Sequence, residues 1–183
     1  TTSNDFEVHS QRYFADGAKN GVETTVSTGA TQSNFDPAIT SLSDGGYLVI
    51  WPGYNAGWGL YTQRYNMWNQ KVGGVTRVDS QSGGQLSMPS AVSLADGGYV
   101  ITWTDSAGHD SFENGVKAQL FDAAGNRMGV AFQVNTFNDT NLFGSSICAL
   151  ADGGFVIAWT RDGDDIYQDG AWFQRYDAEG HAL

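Results

Sequence analysis

The chain has 183 residues, the length of one domain, and carries 20 Asp and Glu against 9 Lys and Arg, a net charge of −11. That acidic excess argues against nucleic acid and anionic lipid, which are held by clustered Lys and Arg, so neither nucleic-acid binding nor membrane insertion is expected. Hydrophobic residues make up 40% of the chain, enough for a core, while the longest apolar run, Tyr47 to Trp51, is too short to cross a bilayer.

Six Trp, 8 Tyr, 10 Phe and 24 Gly beside 3 Pro are the composition of an all-β protein with many tight turns. The single cysteine, Cys148, excludes a disulfide framework within the chain and any zinc site of several thiolates. Its repeat position on a predicted strand makes it a small core residue rather than a nucleophile. The chain opens at Thr1 with no apolar leader, the expectation for a processed protein or an excised piece.

In chain order, an incomplete unit comes first (residues 1–29), with two predicted strands over 8–13 and 21–26. Units over 30–80 and 81–136 follow, then a last one over 137–183. Two motifs define the period. Asp44-Gly45-Gly46-Tyr47, Asp96-Gly97-Gly98-Tyr99 and Asp152-Gly153-Gly154-Phe155 lie 52 and 56 residues apart, and each leads to a tryptophan, Trp51, Trp103 or Trp159. Gln11-Arg12-Tyr13, Gln63-Arg64-Tyr65, Gln119-Leu120-Phe121 and Gln174-Arg175-Tyr176 repeat at 52, 56 and 55. In the unit over 81–136 the pattern resolves into four strands. Strand A is 89–94 and rich in small residues, B is 98–103, C is 116–121 and D is 128–135. Asp and Gly fill the A–B and C–D turns, where side-chain hydrogen bonds and positive φ are needed. No window shows a helical apolar stripe.

Four short antiparallel strands in about 50 residues is the pattern of a propeller blade, and small residues on strand A suit the crowded central axis. The expectation is an all-β, β-propeller-like chain of about three and a half repeats; a sandwich of similar hairpins is the competing arrangement. The last unit stops at His181-Ala182-Leu183, where its strand D should begin. The unmatched strand edges this implies predict a homo-oligomer or part of a longer chain.

Residues 150–159, Leu-Ala-Asp-Gly-Gly-Phe-Val-Ile-Ala-Trp, and 170–180, Gly-Ala-Trp-Phe-Gln-Arg-Tyr-Asp-Ala-Glu-Gly, resemble a repeat of large secreted bacterial proteins, among them RTX-type adhesins and calcium-associated surface proteins. Phe132 to Thr136 is similar to that repeat's closing strand. The resemblance covers most of the chain and implies a bacterial extracellular or cell-surface location, or a periplasmic one, with a role in adhesion or recognition. The Gly-Gly-x-Gly-x-Asp nonapeptide of the calcium β-roll is missing here.

Short, alike A–B and C–D turns read as structure; the B–C and D–A loops on the opposite rim vary and are the candidate binding surface. The first B–C loop is aromatic, with Tyr54 and Trp58 as a candidate sugar platform or, alternatively, as packing between blades. The second holds Asp105, Asp110 and Glu113, and Asp105 and Asp110 are candidate ligand-binding residues. The third holds Asp162, Asp164, Asp165 and Asp169, hard oxygen donors of the kind Ca²⁺ takes, although the EF-hand spacing is not met and a solvated acidic loop is the competing reading. No other cofactor is indicated. With neither a Gly-x-Ser-x-Gly elbow nor a His-Glu-x-x-His pair, the expected function is a non-enzymatic, lectin-like or adhesin-like module that binds a glycan or a protein surface partner. A structural subunit of a surface layer or larger complex is the alternative. A polysaccharide-active enzyme ranks third, because the abundant carboxylates include no pair that the sequence singles out.

Overall fold

Thirteen strands form among the residues that the computed structural model describes, which are 6–27, 34–54, 58–79, 85–106, 114–136, 142–161 and 170–183. Strands β1 (His9–Ser10) and β2 (Thr24–Thr25) form a two-stranded sheet. Strands β3 (Ala38–Ser41), β4 (Tyr47–Tyr54), β5 (Trp58–Tyr65) and β6 (Lys71–Arg77) form a four-stranded meander. A second meander joins β7 (Gln85–Ser93), β8 (Tyr99–Ser106), β9 (Asn114–Phe121) and β10 (Arg127–Gln133). Strands β11 (Leu142–Ala149), β12 (Phe155–Arg161) and β13 (Gly170–Tyr176) make a three-stranded sheet. All pairings are antiparallel, and β7 lies beside both β3 and β11, so the A strands of successive units share one axis. The fold is all-β and propeller-like, as the repeat predicts. The first unit is thinner than expected. Its two predicted strands shrink to two-residue pieces, because the described residues set no A or B strand beside β1 to extend the ladder.

The two motifs carry the blade geometry. In each Asp-Gly-Gly turn the Asp carboxylate accepts from the second glycine's N–H, Gly46, Gly98 or Gly154. The first glycine takes positive φ, 80° at Gly45, 92° at Gly97 and 91° at Gly153. The second glycine lies so close to strand C that a Cβ at Gly98 would sit 2.6 Å from the Phe121 carbonyl oxygen, with the same crowding by Tyr65 and Tyr176 at Gly46 and Gly154. The motif glutamine ties strand C to the bulge of strand D. Gln63 donates to the carbonyls of Val72 and Gly73, and Gln119 to those of Met128 and Gly129. The motif arginine clamps neighbours: Arg12 donates to Met67 O and Arg64 to Ala123 O, each in the next unit, while Arg64 and Arg175 also pair with Asp44 and Asp152. The final aromatic stacks on the aromatic after Asp-Gly-Gly, with centroids 4.8 Å apart for Tyr47–Tyr65, 4.9 Å for Tyr99–Phe121 and 5.1 Å for Phe155–Tyr176. Burial pushes the Tyr65 and Tyr176 phenols up to about 12, so both stay neutral across the physiological range.

Alternation along strand B divides its side chains between the two neighbouring blades. Tyr99, Ile101 and Trp103 face the preceding unit and pack with Leu48, Ile50 and Leu60; Val100 faces the next unit and packs with Phe155, Ile157 and Trp159. Trp51 packs in the same way with Val8 and Val26 of the short first sheet. All three repeat tryptophans are therefore core. Cys148 departs from its expected burial. It is exposed, because it points away from the second unit on the uncovered side of the three-stranded sheet.

Candidate functional site

The meander topology brings the ends of β4, β8 and β12 and the starts of β5, β9 and β13 to one rim, together with the residues that follow β6 and β10. At this rim Asp79 and Asn135 hold repeat-equivalent places, 56 residues apart, and close strand C onto strand D. Asp79 Oδ1 accepts from Leu60 N and Asn135 Oδ1 from Val116 N, each at 2.8 Å. Asp79 also receives a fork of bonds from Arg77 at 2.7–3.1 Å, and this carboxylate pushes the Arg77 guanidinium pKa up.

Asp105 stands at the end of β8, 1% exposed. Its Oδ2 pairs with Lys117 Nζ on β9 at 2.7 Å, while Oδ1 has no hydrogen-bond partner among the described residues. The neighbouring Trp103 Nε1 and Thr104 Oγ1 are also buried without a partner there. A buried carboxylate with one oxygen held by an ammonium and the other unpartnered among the described residues has capacity for one more hydrogen bond.

Between the second and third units the same rim carries a cleft of about 230 Å³, lined in part by Asn135, Leu142, Trp159, Arg161, Trp172 and Gln174. The Arg161 guanidinium lies 5.8 Å from the centre of the Trp172 ring. Trp172 is 43% exposed, so much of its indole faces solvent. The cleft pairs an aromatic surface with a guanidinium group, a combination that suits a sugar.

The structure brings Asp105 to this rim and gives it a partner. Trp58 is half-buried, edge-on to Phe35 at 5.6 Å, and its carbonyl accepts from Arg77, so it packs against Phe35. Tyr54 ends β4 opposite Trp58; its side chain lies outside the described residues, as do Asp110, Asp162, Asp164, Asp165 and Asp169. Among the described residues, Asp177, Glu179 and His181 could together offer three metal-ligand atoms. Asp177 is already engaged within its own turn by the N–H groups of Glu179 and His181 and by the His181 ring.

Lys117, Arg161 and Trp172 were not singled out from the sequence, although it carries a signal for them. Gly53, Asp105 and Arg161 share one repeat position, and Tyr61, Lys117 and Trp172 share another. Charge appears at these two positions within otherwise apolar or uncharged strands. Divergence inside a repeat, rather than the repeat itself, points to the site.

No family model matches the chain, and no curated protein matches it in sequence. Its fold is similar to those of solved enzymes. An endo-arabinase from Bacteroides thetaiotaomicron matches with TM-score 0.55 at 12% identity, over 80% of this chain and 61% of that one. A Penicillium chrysogenum α-L-arabinanase complexed with arabinobiose matches with TM-score 0.52 at 18% identity, over 89% and 47%. An α-L-arabinofuranosidase from Clostridium thermocellum matches with TM-score 0.50 at 14% identity, over 85% and 53%. These are five-bladed propellers, and the chain spans about half to three fifths of their length.

The likenesses correct two expectations: the non-enzymatic, lectin-like or adhesin-like function, and the absence of enzymatic activity. The solved proteins of similar fold named above are an endo-arabinase, an arabinanase and an arabinofuranosidase. Glycosidic cleavage needs only well-placed carboxylates, which leave no local motif in a sequence, so missing catalytic motifs are no argument against an enzyme.

Proposed function

We propose that this chain supplies blades of a polysaccharide-active β-propeller enzyme whose substrate lies along the B–C and D–A loop rim. Asp105 carries the reading: a carboxylate buried at that rim, with one oxygen held by Lys117 and the other without a partner among the described residues. Lys117 orients the group, and the unpartnered oxygen accepts a sugar hydroxyl or takes part in proton transfer at the scissile bond. The exposed indole of Trp172, at the cleft on the same rim, offers a surface for further sugar rings. Arabinan is the first substrate to test, because the solved propellers of similar fold include an arabinanase complexed with arabinobiose.

The test is reducing-end release from a panel of soluble polysaccharides, arabinan included, by the chain and its Asp105→Asn variant, with near-ultraviolet circular dichroism to confirm folding. Release by the parent that drops at least tenfold in the folded variant supports the proposal. No release from any polysaccharide, with no binding of arabino-oligosaccharides, overturns it.

A further inference from the structure

The two interfaces between full units use one face in the same way. Strand register sets Ala38, Ile50 and Thr62 side by side, with Thr40, Leu48 and Arg64 next to them, on the face of the first unit that meets the second. In the second unit the equivalents are Ser90, Thr102 and Ala118, then Val92, Val100 and Leu120, facing the third. These faces are sealed: Ile50, Thr102, Ala118 and Val100 are 0% exposed, and Thr102 shares a 2.8 Å hydrogen bond with Ser145 across the interface. In each case the covering face is the next unit's aromatic-x-Ile-x-Trp or aromatic-x-Ile-containing strand B.

In the third unit the same register aligns Ser146, Ala158 and Phe173, then Cys148, Val156 and Arg175. Apolar residues fill the key positions, yet Phe173 is 73% exposed and Cys148 is exposed. We infer that this face receives a further four-stranded unit of the same repeat, one that presents an aromatic-x-Val/Ile-x-Trp strand to it. The chemistry of the occupant follows from continuity with the two interfaces already formed: the outgoing face is of one kind in all three units, and its partner is of one kind in both filled cases. Arg175 supports the same arrangement. Its equivalents Arg12 and Arg64 each reach a turn carbonyl of the following unit, whereas the described bonds of Arg175 end on Asp152 within its own unit. A large exposed aromatic amid aliphatic side chains is otherwise a site of non-specific association. This inference does not depend on the enzymatic reading.

Cys148, the chain's single cysteine, reports on the face directly. The repeat register places Leu183 level with Val72, so joining residues 73–136 after Leu183 would complete strand D of the third unit and add one whole unit. Maleimide labelling of Cys148 is then compared between the full chain and this lengthened chain. The expected result is labelling at least tenfold slower in the lengthened chain, restored to the original rate when it also carries Phe173→Lys. Unchanged labelling, or an added unit that stays unfolded by circular dichroism, overturns the inference. Protection already present in the unlengthened chain and lost on dilution also overturns it, because a second copy would then be the occupant.

Discussion

Gly98→Ala is the substitution that most sharply tests how the blade is built. The added Cβ would sit 2.6 Å from the Phe121 carbonyl oxygen and 3.1 Å from Asp96 Oδ1. The first contact is with backbone, so no side-chain rotation relieves it. Restoring an ordinary separation requires the start of β8 to move from β9 by about 0.8 Å, a small-to-large change in a packed region that costs about 1–3 kcal/mol. That movement also disturbs the Tyr99–Phe121 stack, whose geometric preference contributes about 1 kcal/mol. The sum is a loss of about 2–4 kcal/mol. Gly74→Ala is the control: a Cβ there meets nothing within 4 Å, and its φ is not in the left-handed range, so the change should be neutral or slightly stabilising. Urea unfolding followed by tryptophan fluorescence measures both. A Gly98→Ala loss below about 0.5 kcal/mol would refute the claim that the second glycine is required by the close approach of strand C.

Trp103→Ala should cost about 3–5 kcal/mol in the same assay, because the side chain is fully buried between the first and second units. Lys117→Met should cost about 3 kcal/mol by stranding the buried Asp105 carboxylate, and should cost less in combination with Asp105→Leu; equal losses would show that the pair is not coupled. Hydrogen bonds from Gly46 N–H and from Arg64 hold the Asp44 carboxyl below its ordinary value, and the Gly154 N–H and Arg175 do the same for Asp152. Carboxyls shifted down contribute stability above their unfolded pKa and lose it as pH falls through the folded one. The urea midpoint should therefore be flat near neutrality and decline below about pH 4. Asp44→Asn should reduce that slope, and a midpoint that rises on acidification would contradict the assignment.

Much of the fold is legible in the sequence because it is periodic. The Asp-Gly-Gly turns, the glutamine that binds the strand D bulge and the stacked aromatic pair recur with their contacts intact, so each copy corroborates the others. Cys148 departs from its expected burial for the same reason: equivalence predicts burial only where a neighbouring unit covers the strand. The site was less legible. In the sequence Asp105 is one acid among several; its significance comes from Lys117, 12 residues away on the next strand, and from an oxygen left without a partner among the described residues. Trp58, noticed as an aromatic in a variable loop, is occupied by Phe35, whereas the exposed ring at the cleft belongs to Trp172 within strand C. Exposure and pairing across strands are tertiary properties, and local composition does not encode them.

The most direct measurement of the enzymatic account is the digestion of reducing-end-labelled arabinohexaose by the purified chain, with products separated by length. The account predicts shortened labelled oligosaccharides from the parent chain and intact arabinohexaose with a folded Asp105→Asn variant. Intact arabinohexaose with the parent chain, or equal cleavage by the parent and the variant, would contradict it.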